Sequence, residues 1–332
     1  MKPVFVPNYY PAFRCIASAC RHTCCVGWEI DVDEDALEYY DTVDGPLGAR
    51  LRDQIDREAD PPCFRLDGEE RCPFLNPSGL CELITELGEG ALCRICADHP
   101  RFRNVLYDRV ELGLGLCCEA VAALILGQTT PMEIILLSDG EAARERTAHQ
   151  DTDEPDPLTD ALISARTAIL AAVQDRTKPL SERIRHVLHS LDIHLPMIGY
   201  AEWAEFLCDL ERLDPARDGY LRALSTLEVD PSGESDPVRE LDGETAAAYE
   251  QLVCYFLYRY LTAEDDGRPA LLQVRVAFAV QSAILIHAIA RATGQTSPHA
   301  LAEVARLYSS EIEYSEENLE RFLDLLEDES DG

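Results

Sequence analysis

The sequence predicts a mainly α protein: an irregular, cysteine-rich, metal-binding N-terminal region followed by an all-helical C-terminal domain. Three observations predict it. Eleven of the thirteen cysteines fall in the first 118 residues, so the chain divides into a thiol-rich head and an almost cysteine-free body. The head shows short apolar runs broken by Gly, Pro and Cys. The body shows apolar residues recurring at helical spacing. A chain of 332 residues with 46% hydrophobic residues has room for two domains.

The elements are expected in this order. In the head, residues 1–138, Trp28-Glu29-Ile30-Asp31-Val32-Asp33 alternates like a short strand. Asp33 or Asp35 then caps a helix through Ala36, Leu37 and Tyr40. Pro73 and Pro77-Ser78-Gly79 mark turns. Leu112, Leu114 and Leu116 alternate with Gly113 and Gly115, which predicts a close-packed extended segment, and Ala120 to Leu126 a short helix. Residues 139–157, polar and closed by Pro155 and Pro157, are the expected linker. The helical domain is expected over 158–328, with an acidic tail at 329–332. Its stripes are Leu158, Leu162, Ile169 and Val173; then Ile184, Val187, Leu188 and Leu191; then Trp203, Phe206, Leu207 and Leu210. Leu252, Val253, Phe256, Leu257, Tyr260 and Leu261 form a thicker stripe. The segment from Ala270 to Ala290 is apolar nearly all round, which places it at the centre. Pro269 suits its first position and Gly294 its C-cap. Leu319, Phe322, Leu323 and Leu326 mark a last helix. These stripes are read as core. No internal repeat is visible.

The formal net charge of -33 repels nucleic-acid phosphates and anionic lipid, and attracts a cationic partner. Solubility at high salt explains the same charge without any partner. Lysine is confined to Lys2 and Lys178. No export signal precedes Cys15, since Pro3, Pro7 and Pro11 interrupt the start. Gln273, Arg275, Gln281 and His287 break the longest apolar segment, which reads as a buried helix and not a membrane span. The expected location is therefore cytoplasmic. In a reducing compartment, dense cysteines point to metal before disulfides.

The thiols fall into groups: Cys15, Cys20, Cys24 and Cys25; Cys72 and Cys81; Cys93 and Cys96; Cys117 and Cys118. Thiolates are soft anionic ligands, suited to iron–sulfur clusters and to zinc. Cys93 and Cys96 have the common two-residue chelate spacing. A four-cysteine zinc site and a four-cysteine [4Fe-4S] site use the same ligands, so the donor set alone leaves both open. Adjacent side chains on an extended backbone diverge, so Cys24 and Cys25 are expected to serve different irons or metals, or only one of them ligates. Cys63 and Cys118 stand outside the regular groupings and are read as spares, and Cys208 and Cys254 as core residues. His22 and His99 flank the thiols as minor ligand candidates. Gly113-Leu114-Gly115-Leu116-Cys117 has only two glycines and leads into cysteines and not into a helix N-terminus, which argues against a Rossmann-type nucleotide loop, and neither GxSxG nor HExxH occurs. No residue is assigned to catalysis or to cofactor binding.

These residues resemble the N-terminal part of the flagellin lysine-N-methylase family. The resemblance runs through Tyr9-Tyr10-Pro11-Ala12-Phe13-Arg14-Cys15, Cys20, Thr23-Cys24-Cys25 and Gly27-Trp28-Glu29-Ile30. It continues through Arg71-Cys72-Pro73-Phe74-Leu75, Gly79-Leu80-Cys81, Leu92-Cys93 with Cys96, Pro100-Arg101, and Cys117 with Glu119-Ala120. More loosely, the head is similar to a CxxxCC-type zinc- or iron-chelating domain. Cys118 stands where the family usually has a proline, and His99 where it has an aromatic residue. The resemblance implies an S-adenosylmethionine-dependent protein lysine N-methyltransferase, with a [4Fe-4S] cluster (zinc as the alternative) and a lysine-bearing protein such as flagellin as substrate. It implies Cys15, Cys20, Cys24, Cys25, Cys72, Cys81, Cys93, Cys96 and Cys117 as metal candidates. The rival reading is a non-catalytic iron–sulfur or zinc-binding module acting in redox, sensing or as an adaptor.

Overall fold

A computed structural model describes residues 2–138, 157–227, 236–262 and 272–330. In chain order the elements are β1 (Val4–Pro7), α1 (Glu34–Thr42), α2 (Gly45–Asp53), β2 (Ile55–Asp56), β3 (Cys63–Phe64), α3 (Glu82–Leu87) and α4 (Arg94–Asp98). Next come β4 (Arg101–Val105), β5 (Val110–Leu114), α5 (Glu119–Leu126) and β6 (Ile134–Leu136). Then follow α6 (Pro157–Val173), α7 (Leu180–Ser190), α8 (Tyr200–Asp209), α9 (Arg217–Ser225), α10 (Ala246–Tyr260), α11 (Leu272–Ala292), α12 (Pro298–Glu313) and α13 (Glu316–Ser330). The expected linker, apart from Pro157, lies outside the described residues, as do Pro269 and the end of the acidic tail.

The chain divides into two compact units. One comprises Met1–Phe13, Arg103–Cys117 and Val121–Gly332; the other comprises Arg14–Phe102 and Cys118–Ala120. The described residues are mainly helical, and from Pro157 onward the regular elements among them are all helices. The head is more ordered than its sequence suggests. A four-stranded sheet of order β4-β5-β1-β6 was not anticipated. Its β1 runs parallel to β5, with Val4 opposite Val110, and antiparallel to β6, with Phe5 opposite Leu136. Strands this short carry too few alternations to register as a pattern, and the β1–β5 pairing joins residues far apart in sequence. Conversely, Trp28 to Asp33 is not a strand. Asp31 makes only an isolated bridge to Cys63, and Phe64 and Val32 complete the local pairing through Ile30 and Pro62 carbonyls.

In the larger unit most of the expected stripe residues are buried, while Leu162, Leu191, Phe206, Tyr260, Leu319 and Leu323 are half-buried and the side chain of Leu158 lies outside those described. Trp203 stacks on Phe322 with ring centroids 5.4 Å apart, and Phe278 meets Phe322 edge-on at 5.3 Å. Helix α11 has the length and hydropathy of a membrane span, yet 83% of its most apolar window is buried inside the protein. Gly294 follows it at φ +69, where its amide bonds to the Arg291 carbonyl, as a C-terminal glycine should. Strand β5 is buried on both faces, which forces its one carboxylate to find a partner. Arg166 of α6 supplies it: Nη2 donates to both oxygens of Glu111 at 2.6 and 2.7 Å, and both side chains are 1% exposed. Cys254 is buried as expected. Cys208 is a correction: it is exposed, because on α8 it falls one residue past the inward-facing Leu207, about 100° round the helix.

Candidate metal centre

The smaller unit builds its site on a small aromatic core. Tyr40, Phe64 and Phe74 form it, with Phe64 and Phe74 edge to face at 5.1 Å. The loops that carry thiols are pinned around this core by backbone hydrogen bonds. Cys72 donates its amide to the Cys25 carbonyl at 2.8 Å, beside a bridge between Val26 and Arg71. Leu75 and Cys81 form a second bridge. The turn between them is closed by Asn76, whose Oδ1 accepts from Ser78 and Leu80 amides at 2.9 and 3.0 Å. Gly79 sits at φ +72, a conformation that costs a side-chain-bearing residue. Asp67 organises the turn before Cys72, its Oδ1 accepting from Glu69 and Arg71 amides.

Asp33 has two tasks. Its Oδ1 caps α1 by accepting from the Ala36 amide at 3.2 Å, as the sequence predicts. Its Oδ2 accepts from the Arg94 amide at 2.6 Å, which anchors the loop carrying Cys93 and Cys96. The Tyr40 hydroxyl donates to the Ala91 carbonyl at 2.8 Å and fixes the same loop from the other side.

This scaffold brings five of the predicted thiols onto one core. Cys72 and Cys93 are buried in it, and Cys25, Cys81 and Cys96 pack against it. Each feels the charge of others: Cys72 that of Cys25, Cys81 and Cys93, and Cys96 that of Cys93, Cys25 and Cys72. Burial, then the neighbouring thiols, pushes Cys72 up to about 12. A hydrogen bond from Cys96 holds Cys93 below the usual thiol range. Several thiolates gathered in an apolar core cannot all ionise unless a cation joins them, and that is the environment a soft metal or cluster meets.

Further thiols neighbour Cys24, which itself bonds to Cys25 of the core set. Cys24 has Cys15 and Cys118 among its charge neighbours, and Cys20 has Cys118. The Cys20 thiol donates to Glu119 Oε2 at 3.7 Å, and Arg21 holds the same carboxylate through its amide at 2.8 Å and its Nε at 2.9 Å. Cys24 and Cys25 lie in a turn, not on an extended backbone, so their side chains do not diverge. The Cys24 thiol bonds to Cys25, which lowers Cys25 and raises Cys24. Thr23 Oγ1 accepts from the Cys25 amide at 3.2 Å and shapes that turn.

Cys117 belongs to the larger unit. It is buried there and hydrogen-bonds Tyr314. There Glu313 accepts from the Tyr255 and Tyr260 hydroxyls at 2.8 Å each, and pairs with Arg259 at 3.2 Å. Cys118, read from sequence as a spare, is the one that stands near Cys20 and Cys24. Cys63 lies on β3. His22 is half-buried. Among the described residues, no group of three or more His, Cys, Asp or Glu side chains is arranged to hold a metal ion. The thiols are paired instead, Cys24 with Cys25 and Cys93 with Cys96. The donor chemistry fits a thiolate-held cluster or zinc. Thr23 and Glu119 fall in the stretches that carry the family resemblance but were given no role from sequence, and Asp67, which shapes the turn before Cys72, was not singled out.

His99 packs against Trp28, ring centroids 6.2 Å apart, and burial pushes its imidazole down to about 4. The folded protein therefore keeps it neutral, whereas the unfolded chain protonates near pH 6.5. The unfolded state binds the extra proton between these values, so stability is full above about pH 6.5 and falls as the pH drops towards 4. The loss across that window is expected to be about 1–3 kcal/mol. His99→Phe should flatten it, and urea denaturation of metal-free protein at pH 7 and pH 5 measures the difference. Equal pH slopes in the two proteins would refute the assignment.

No family model matches the chain, and no solved structure matches it. Curated relatives do. Over 166 residues, 48% of this chain, it is 29% identical to the lysine-N-methylase of Salmonella typhimurium strain LT2, and equally to that of Salmonella choleraesuis strain SC-B67. The match covers 39% of each of those relatives, so the chain spans well under half of their length. It is also 28% identical over 142 residues, 40% of this chain, to the flagellar biosynthetic protein FliU of Salmonella muenchen, of which 84% is covered. The chain is thus a distant relative, over part of its length, of proteins named for lysine methylation and for flagellar biosynthesis.

Proposed function

We propose that this protein is an S-adenosylmethionine-dependent protein lysine N-methyltransferase, directed at a lysine-bearing substrate such as flagellin. The similarity to lysine-N-methylases carries the reading. A [4Fe-4S] cluster would be held by four of Cys25, Cys72, Cys81, Cys93 and Cys96, the thiols that share the aromatic core. When bound, the cluster would supply positive charge to the buried thiolates and crosslink the loops that bear them. Asp33, Tyr40 and Asn76 hold those loops in place. A lysine amine attacks a methyl sulfonium only when deprotonated, so the reaction needs a base or a desolvating pocket. The strongly negative surface favours encounter with a cationic, lysine-rich protein.

A second reading, a non-catalytic iron–sulfur or zinc module, is favoured by the thiol gathering itself, which needs no catalysis to explain it. Transfer of a labelled methyl group from S-adenosylmethionine to flagellin separates the two. Incorporation at lysine is the expected result. Metal-loaded protein that neither binds the cofactor nor transfers its methyl group, to flagellin or to another lysine-rich protein, sinks the methylase reading.

A further inference from the structure

Glu313, the last residue of α12, is an exception among the buried carboxylates of the larger unit. We propose that Glu313, with Tyr255, Tyr260 and Tyr314, forms a seat for the alkylammonium group of a substrate lysine, and that Arg259 of the chain itself holds this seat when no lysine is bound. The inference rests on the proposed function in naming lysine as the ammonium that enters.

The exception lies in one oxygen. Among the described residues, the buried glutamates are Glu111, Glu250, Glu311 and Glu313. Three of them use both carboxylate oxygens. Arg166 serves both oxygens of Glu111. Glu250 Oε1 accepts from Arg176 at 2.7 Å and Oε2 from Arg183 at 2.5 Å. Glu311 Oε1 accepts the Asp214 amide, and Oε2 meets Arg217 at 3.0 Å. At Glu313 every contact falls on Oε2: the Tyr255 and Tyr260 hydroxyls at 2.8 Å each, and Arg259 Nη1 at 3.2 Å. Oε1 takes no hydrogen bond from the described residues, although the side chain is 0% exposed. A buried carboxylate oxygen left unpaired is costly, and it points to a donor that arrives from outside the chain.

The surroundings select a cation. Glu313 ends its helix, where the last carbonyls add partial negative charge. The Arg259 guanidinium carbon lies 5.3 Å from the ring centres of both Tyr260 and Tyr314, and such ring faces attract positive charge. Tyr255 and Arg259 are one turn apart on α10, so they share a face, and Nη1 donates to the Tyr255 hydroxyl at 2.8 Å. Glu313 and Tyr255 are buried, Tyr260 and Tyr314 are half-buried, and the Arg259 side chain is 13% exposed. The seat therefore has a buried floor and reaches the surface at Arg259. A lysine that displaces Arg259 exchanges one cation for another, so the carboxylate is never stranded. An ammonium carries three donors and can serve Oε1 as well as Oε2.

The test is calorimetric binding of a short peptide with a single lysine to anaerobically purified full-length protein. It is run without S-adenosylmethionine, at salt high enough to screen the diffuse surface charge. Wild type should bind this peptide and not the same peptide with norleucine in place of lysine. Glu313→Gln should weaken binding about tenfold or more. Arg259→Gln removes the resident cation and should tighten binding severalfold. A purely structural ion pair would not move the two variants in opposite directions. Unchanged affinity in Glu313→Gln, weaker binding in Arg259→Gln, or wild type that does not distinguish lysine from norleucine overturns the proposal. Should either variant not fold by circular dichroism, Tyr260→Leu and Tyr260→Phe take its place. Losing the ring should weaken binding and keeping it should not, and equal affinities overturn the proposal. If lysine binds through Glu313 but no methyl group is transferred, the methylase reading falls alone. If methyl transfer survives Glu313→Gln, the seat falls alone.

Discussion

Glu111→Ala should destabilise the larger unit by about 3–5 kcal/mol, the cost of leaving one member of a buried ion pair without the other. Arg166 cannot turn to water, as its side chain is 1% exposed and its guanidinium lies 5.2 Å from the Tyr258 ring. Its Nη1 keeps only long contacts to the Tyr258 and Leu261 carbonyls, at 3.5 and 3.3 Å, which do not neutralise a charge. Arg166→Ala should cost a similar amount, because it strands Glu111 in a strand buried on both faces. The paired change Glu111→Leu with Arg166→Met removes both charges together and should recover most of the loss. Urea denaturation of the four proteins gives the result. Single variants within about 1 kcal/mol of wild type would mean that water reaches the pair.

On the proposed methylase function, Cys93→Ser with Cys96→Ser should have the largest effect on activity. These two residues supply the only two-residue chelate spacing in the thiol groups, and their loop is fixed by Asp33 and Tyr40 before any metal arrives. Serine preserves size but is no ligand for a soft metal. Losing an outer partner of a metal site costs about 10–100-fold, so losing two ligands should lower methyl transfer by on the order of 100-fold or more. The readout is labelled methyl incorporation alongside iron and sulfide content. Methyl transfer that survives the loss of iron and sulfide would assign the cluster no part in the activity. Cys117→Ser is the contrasting case. Its buried thiol hydrogen-bonds Tyr314 in the larger unit, so metal content should stay at the wild-type level.

The legible parts of the fold were those written in local spacing. Helical stripes such as Trp203, Phe206, Leu207 and Leu210 recur every turn, so the helix and its buried face follow from neighbours in sequence. Asp33 before Ala36 is a capping signal of the same short range, and the structure bears it out. Arg166 illustrates the limit. It falls on the stripe of Leu162, Ile169 and Val173, which marks it as buried, but its partner Glu111 is 55 residues away and nothing local names it. The β1–β5 pair was invisible for the same reason. Cys208 was misplaced because an apolar stripe fixes a face to within a residue, and one residue turns the side chain about 100°.

By itself the sequence set out a thiol-rich head, a helical body and a formal net charge of -33. Tertiary structure alone decided how those thiols are shared out. It set Cys25, Cys72, Cys81, Cys93 and Cys96 on one aromatic core, carried Cys118 to Cys20 through Glu119, and turned Cys117 towards Tyr314. Ligand type is a property of a residue, and spacing makes a chelate credible. Which sulfurs meet depends on loops closed by distant carboxylates and carbonyls, and those contacts exist only once the chain has folded.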